Sequence, residues 1–296
     1  MSGDSSATNA RHLQRRRVIT RTALTGCAAK AAMFLPTLGI AKVAVPVVGA
    51  ERFGVLMTIL SLVAFLGVGD LGVGSSLVTL VSRAIGSQDH ARVRRLQANG
   101  IIAVSGLAAI LFLVAAAVRY TDVGAMMFPL SSASIQREGT LGLSAFGMCF
   151  ALSLPLTLIG KIQLGLQRGE LANYWQIAAA FVNFAAASVA TVSGLGIPWI
   201  TAGMLSGTIL CAALNMVTYF IREPRVRPSL RDVSRTEIKE LLADSSFYLA
   251  LQLIFLVAYS ADTMIVARVL GAQRASVYAL AERLFSMVAV AVGLVT

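Results

Sequence analysis

From Phe53 to Val81 the chain is a run of 29 apolar and small residues whose only charge is Asp70. About 20 apolar residues cross a bilayer core as a helix. The run therefore predicts one long membrane-spanning helix, extending to about residue 85. A tight polar turn, Gly49-Ala50-Glu51-Arg52, precedes it, and Arg83, Arg92, Arg94 and Arg95 close it. The carboxylate sits among Gly67, Gly69, Gly72 and Gly74. Similar runs predict a set of eight spans, at 22–48, 53–85, 100–118, 139–159, 175–192, 199–221, 241–266 and 277–295. The fourth is expected to break at Pro155.

Composition agrees. The chain is 57% hydrophobic and 13% charged, against roughly 25% charged in a soluble domain, with a mean hydropathy of +0.77. A net charge of +11 would suggest nucleic acid in a soluble protein, but here the basic residues are sorted by side. The N-terminal arm and the loops after spans 2, 4 and 6 carry 17 Lys and Arg, and the opposite loops carry five. Lys30, Lys42 and Arg283 lie within spans. This positive-inside bias puts the N-terminus in the cytoplasm and removes the case for a nucleic-acid partner. Residues 1–21 read as a disordered basic cytoplasmic arm rather than a cleavable signal, because the apolar run that follows is too long. Cys27, Cys149 and Cys211 are isolated in apolar sequence and are expected to be packing residues.

Val47–Val55 (VVGAERFGV) and Val269–Val277 (VLGAQRASV) agree at five of nine positions without a gap. Six predicted spans separate the copies, so the two units share one orientation. That pattern indicates a parallel duplication about an axis along the membrane normal. The expected organisation is a six-helix lobe at 22–221, a basic cytoplasmic connector at 222–240, and a second lobe beginning at 241 and represented to 296 by two helices. The chain ends inside apolar sequence, so this second lobe reads as truncated.

No catalytic constellation is present: there is no HExxH, GxSxG or GxxxxGK[ST], and the two histidines, His12 and His90, lie in basic polar segments. The sequence calls for no cofactor and no metal site, and it does not read as an enzyme. The informative groups are charges at membrane depth, which are costly unless they face water or a partner. Lys30 and Lys42 in span 1 lie about 120° apart around a helix, with Lys30 the better cavity cation. Asp70 reads as a cation or proton site, or as a lysine's partner in a buried pair. Glu282 and Arg283 fall in the outward third of span 8 and are candidates for a cavity mouth. Gln163, Gln167 and Arg168 read as a solvated loop.

With these residues in place, the chain resembles the polysaccharide transporter family, the O-antigen and exopolysaccharide flippases of the MATE-like multidrug/oligosaccharidyl-lipid/polysaccharide exporter superfamily. The carrying stretches are GAERFGV, GVGDLGVGSSLV, SRAIGSQDHARVRRLQAN, GLQRGELANYW and DTMIVARVLGAQRASVYALAERLF. The resemblance implies an all-α, MATE-like polytopic membrane protein of the bacterial inner membrane. It implies movement of undecaprenyl-diphosphate-linked oligosaccharide across that membrane for lipopolysaccharide or exopolysaccharide synthesis, alongside a polysaccharide polymerase and glycosyltransferases. A cationic cavity between lobes is then expected, with Lys30 its first candidate and Asp70 its second. Competing readings are a drug or small-cation exporter of the same superfamily, a membrane-embedded glycan polymerase or glycosyltransferase, and an inactive truncated remnant. The first would favour acidic cavity residues. The second would need a large polar loop, whereas the longest loops here are about 20 residues.

Overall fold

The computed structural model describes residues 20–32, 46–61, 69–127 and 132–270, and these are entirely helical and connecting segments. Helix α1 spans 20–32, and 46–48 are again helical. Then follow α2 (Ala50–Ser61), α3 (Val73–Gly86), α4 (His90–Val118), the short α5 (Val123–Met127), α6 (Ala133–Gly165), α7 (Gly169–Val192), α8 (Ile197–Arg222) and α9 (Arg235–Leu270). Four of them, α4, α6, α7 and α8, are long and apolar enough to cross a membrane. They correspond to predicted spans 3 to 6. Large apolar side chains such as Leu113, Phe181, Val189, Trp199, Leu210 and Val217 are exposed around them, as expected of surfaces solvated by lipid tails. The chain is a multi-pass membrane protein.

Three expectations need correction. Predicted span 2 is not one continuous helix: α3 starts afresh after a turn at 69–72, where Leu71 (φ 51°) and Gly72 (φ 80°) are left-handed. Pro155 does not break span 4, because α6 runs for 33 residues through it. The Ser153 hydroxyl donates to the Phe150 carbonyl, and Thr157 donates to Ser153 and Leu154, so the turns beside the proline gain local hydrogen bonds. The loop expected after span 4 is only the turn 166–168. In it Gln167 is left-handed (φ 59°) and the Arg168 amide donates to the Gln163 carbonyl at 2.8 Å.

Packing between α7 and α8 is close. A Cβ on Gly207 would lie 2.5 Å from the Ala179 carbonyl oxygen, and one on Gly203 would lie 3.0 Å from the Ala187 backbone. This small-xxx-small pair lets two backbones meet without side chains between them. Asn183 bridges the seam, donating to Thr208 Oγ1 at 2.9 Å and accepting from the Thr208 amide at 3.1 Å. Elsewhere apolar clusters fill the interior. Leu56, Ile59, Ile197 and Ile200 join α2 to α8 at one end. Val81, Val93, Ile159 and Ile162 join α3, α4 and α6 at the other.

The connections gather at two ends, as the alternation of basic loops requires. At one end, Arg52 pairs with Glu138 at 2.9 Å, Glu138 accepts the Ile197 amide, and Glu51 accepts the Ser132 amide. At the basic end, Arg168 pairs with Glu223, and Gln97 donates to the Tyr219 hydroxyl. The start of α1 docks there too, where Asn173 donates to the Thr22 carbonyl and to Thr25 Oγ1, both at 3.0 Å.

Candidate functional site

The glycine density around Asp70 produces a half-helix. Gly72 adopts φ 80°, a conformation open to glycine at little cost, and α3 begins one residue later. The carboxylate of Asp70 folds over this start. Its Oδ1 accepts the Gly72 amide and its Oδ2 the Gly74 amide, each at 3.0 Å. Helix starts leave unpaired N–H groups and a partial positive charge, and Asp70 satisfies both from within its own turn. It forms no ion pair with Lys30; among the described residues, Asp70 has no ion-pair partner. The stem of Lys161 crosses the same turn, its Cγ 3.1 Å from where a Cβ on Gly74 would lie. Lys161 lies on α6.

Lys30 is exposed on α1 between the buried Ala29 and Ala32, and it too has no ion-pair partner among the described residues. The structure thus keeps Lys30 and Asp70 apart in role: one is an open cation, the other an engaged cap. Lys42, Glu282 and Arg283 lie outside the described residues.

Residues that the sequence suggested were a solvated loop, with others it did not single out, form the polar interior of the basic end. Gln163 is 2% exposed and pairs reciprocally with Asn215, at 2.7 and 3.1 Å, so it is not a loop residue. Beside this pair a cavity of about 80 Å³ is lined in part by Arg168, Trp175, Tyr219, Arg222 and Glu223. Asn99, taken as the end of a basic loop, is buried on α4. It donates to the Arg95 carbonyl, the Asp232 carbonyl and Glu237 Oε2, and accepts the Ser234 amide. Arg94 lies 2.9 Å from Asp232, and Arg95 lies 3.0 Å from Glu237. Their Nε–H bonds are not aligned on the carboxylates, so these contacts are ion pairs rather than directed hydrogen bonds. For Asn183 and Asn215 the available signal was polar type against apolar surroundings, where a side-chain amide seeks a partner across helices; Gln97 and Asn99 follow Arg94 and Arg95 in a polar stretch, which masked them. Among the described residues no cluster of His, Cys, Asp and Glu could hold a metal ion.

The fold has solved counterparts. A MOP superfamily transporter from Pyrococcus furiosus superposes with a TM-score of 0.75 at 15% identity, over 92% of this chain and 60% of its own. A MATE structure in complex with MaD3S gives 0.78 at 14%, over 92% and 62%. An outward-facing multidrug resistance MATE family transporter of the MOP superfamily gives 0.76 at 14%, over 94% and 61%. The chain spans about 60% of the length of these transporters. No curated protein matches it in sequence. A family profile described as "Polysaccharide biosynthesis protein" matches residues 142–295, more than half of the chain. The chain therefore belongs to this polysaccharide biosynthesis family, built on the helical fold of the MOP superfamily transporters.

Proposed function

We propose that the protein moves undecaprenyl-diphosphate-linked oligosaccharide across the bacterial inner membrane. Residues 22–221 would form one lobe, with 222–240 the connector and 241–296 the start of the second. The observation that carries this reading is the opposite status of the two membrane-depth charges. Lys30 is exposed and without an ion-pair partner, while both oxygens of Asp70 are taken by the start of α3. A diphosphate entering a low-dielectric slab needs a counter-charge, and the open charge here is positive. A cation exporter would need an open carboxylate instead. Lys42, Glu282 and Arg283 are the further candidates for the cavity and its mouth, with the N-terminus cytoplasmic.

The test is complementation of a strain lacking the full-length gene. Lys30→Ala should lower surface polysaccharide at least about ten-fold at unchanged protein level, since a cation at membrane depth contributes several kcal/mol when it meets an anion. Lys30→Arg should retain most of it. Full polysaccharide in the alanine variant overturns Lys30 as the substrate cation.

A further inference from the structure

The cavity beside the Gln163–Asn215 pair belongs to α6, α7 and α8, with the turn that joins α6 to α7 and Glu223 just past α8. Among the described residues none of α1, α3 or α9 lines it, so Lys30 and Asp70 stand outside it. Its buried side is short of acceptors. A primary amide carries two N–H donors. In their reciprocal pair Gln163 and Asn215 each spend one, and the second has no acceptor among the described residues. The two side chains are 2% and 4% exposed, where an unmet donor is costly. Arg168 and Arg222 stand on the open side, both exposed. Arg168 pairs with Glu223, and Arg222 has no ion pair among the described residues. Two guanidiniums and one carboxylate leave the lining with one net positive charge.

We propose that this cavity binds the phosphodiester headgroup of an anionic bilayer phospholipid. The charge fits, because one phosphodiester carries a single negative charge, equal and opposite to that of the lining. The donors fit, because its oxygens accept both the spare amide N–H groups and the guanidiniums, and hydrogen bonds from arginine to phosphate are among the stronger ones. The size fits: about 80 Å³ is several times the roughly 10–15 Å³ that admits one water. The surroundings select a lipid over free phosphate. Leu210, Leu214, Val217 and Ile221 recur at three- and four-residue intervals on α8 and are 46–63% exposed, an apolar stripe that ends beside Arg222 and offers a bed for acyl chains. Trp175, of the residue type that sits at the headgroup boundary, lines the cavity as well. Basic pockets between membrane helices hold anionic headgroups by the same means.

The test titrates the full-length protein, delipidated in a mild detergent, with phosphatidylglycerol and counts bound lipid by native mass spectrometry. One tightly held phosphatidylglycerol is expected. Phosphatidylcholine, whose headgroup has no net charge, should bind at least about five-fold more weakly, and Arg222→Ala should weaken phosphatidylglycerol about five-fold, the scale of one basic residue at an anionic membrane surface. Arg222→Lys should retain most of the affinity. Replacing Gln163 and Asn215 together by leucine removes the spare donors and should also weaken binding. Arg92→Ala, at an exposed position of the same end outside the cavity, should change nothing, and excess inorganic phosphate should not displace the lipid. Wild-type binding by Arg222→Ala, an equal loss with Arg92→Ala, equal binding of phosphatidylcholine, or displacement by inorganic phosphate overturns the lipid site. Transport is not read, so a wrong substrate assignment leaves this result standing.

Discussion

At the scale of single residues, Asp70 carries the most weight. A lone carboxylate in a 29-residue apolar run reads as a coupling site or half of an ion pair, and neither reading anticipates a cap. The cap depends on the left-handed pair Leu71 and Gly72, which periodicity does not reveal. The glycine spacing in GVGDLGVG was the available sign that the backbone turns there. Asp70→Ala should therefore destabilise the protein by about 1–2 kcal/mol, the usual cost of a lost helix cap. Asp70→Asn keeps one acceptor oxygen and should cost less. Thermal unfolding in detergent measures both. If Asp70→Asn unfolds like wild type yet abolishes polysaccharide export, the carboxylate's charge has a transport role beyond the cap. The Gln163–Asn215 pair gives a second expectation. Gln163→Ala leaves the buried Asn215 amide unpaired and should cost about 1–3 kcal/mol. Replacing both residues by leucine should cost less than the single change, as a double-mutant cycle would read.

At the scale of elements, spans 3 to 6 were legible because each is an uninterrupted apolar stretch of bilayer length. Their ends were not. α4 begins at His90, where Asp89 accepts the Arg92 amide at 2.8 Å, ten residues before the apolar stretch starts, because a charged first turn is as helical as an apolar one. α7 likewise begins at Gly169 rather than at Trp175, where the fifth predicted span starts. The break between α2 and α3 was hidden by apolar sequence on both sides, and hydropathy carries no information on φ. The tight α7–α8 seam was written in the sequence as Gly203 and Gly207, one turn apart. A methyl group on Gly207 meets two backbone groups, the Ala179 carbonyl at 2.5 Å and the Asn183 amide at 2.7 Å, and neither can turn away like a side chain. Gly207→Ala should lower stability by about 1–3 kcal/mol. Gly106→Ala on α4, with nothing within 4 Å, should be neutral or gain up to about 1 kcal/mol from helix propensity. Melting temperatures of the two variants in one detergent separate packing from propensity.

At the scale of the whole molecule, the count of 17 basic residues against five foretold which connections share an end. The structure gathers them so, with Arg52, Glu138 and the Ile197 amide together at one end and Arg168, Glu223, Asn99 and Asp232 at the other. The count could not foretell that acidic residues of the connector would return to neutralise Arg94 and Arg95, since it weighs charges without their partners. That docking also bears on orientation. Among the described residues three arginines of the basic end, Arg94, Arg95 and Arg168, are paired with carboxylates, whereas Arg83, Arg92, Arg222 and Arg231 form no ion pair. Orientation is fixed as the chain inserts, before such pairs form, and acidic residues weigh little in it. The full count of basic residues, paired or not, should therefore decide. In the full-length protein freed of native cysteines, Met126→Cys, 86% exposed at the end opposite the basic loops, should react with an impermeant maleimide on intact cells. Ser87→Cys, exposed in the turn between α3 and α4, should react only after permeabilisation. The reverse pattern would show that the paired arginines had been counted in error and that net charge after folding, not basic residues at insertion, sets the direction of this chain.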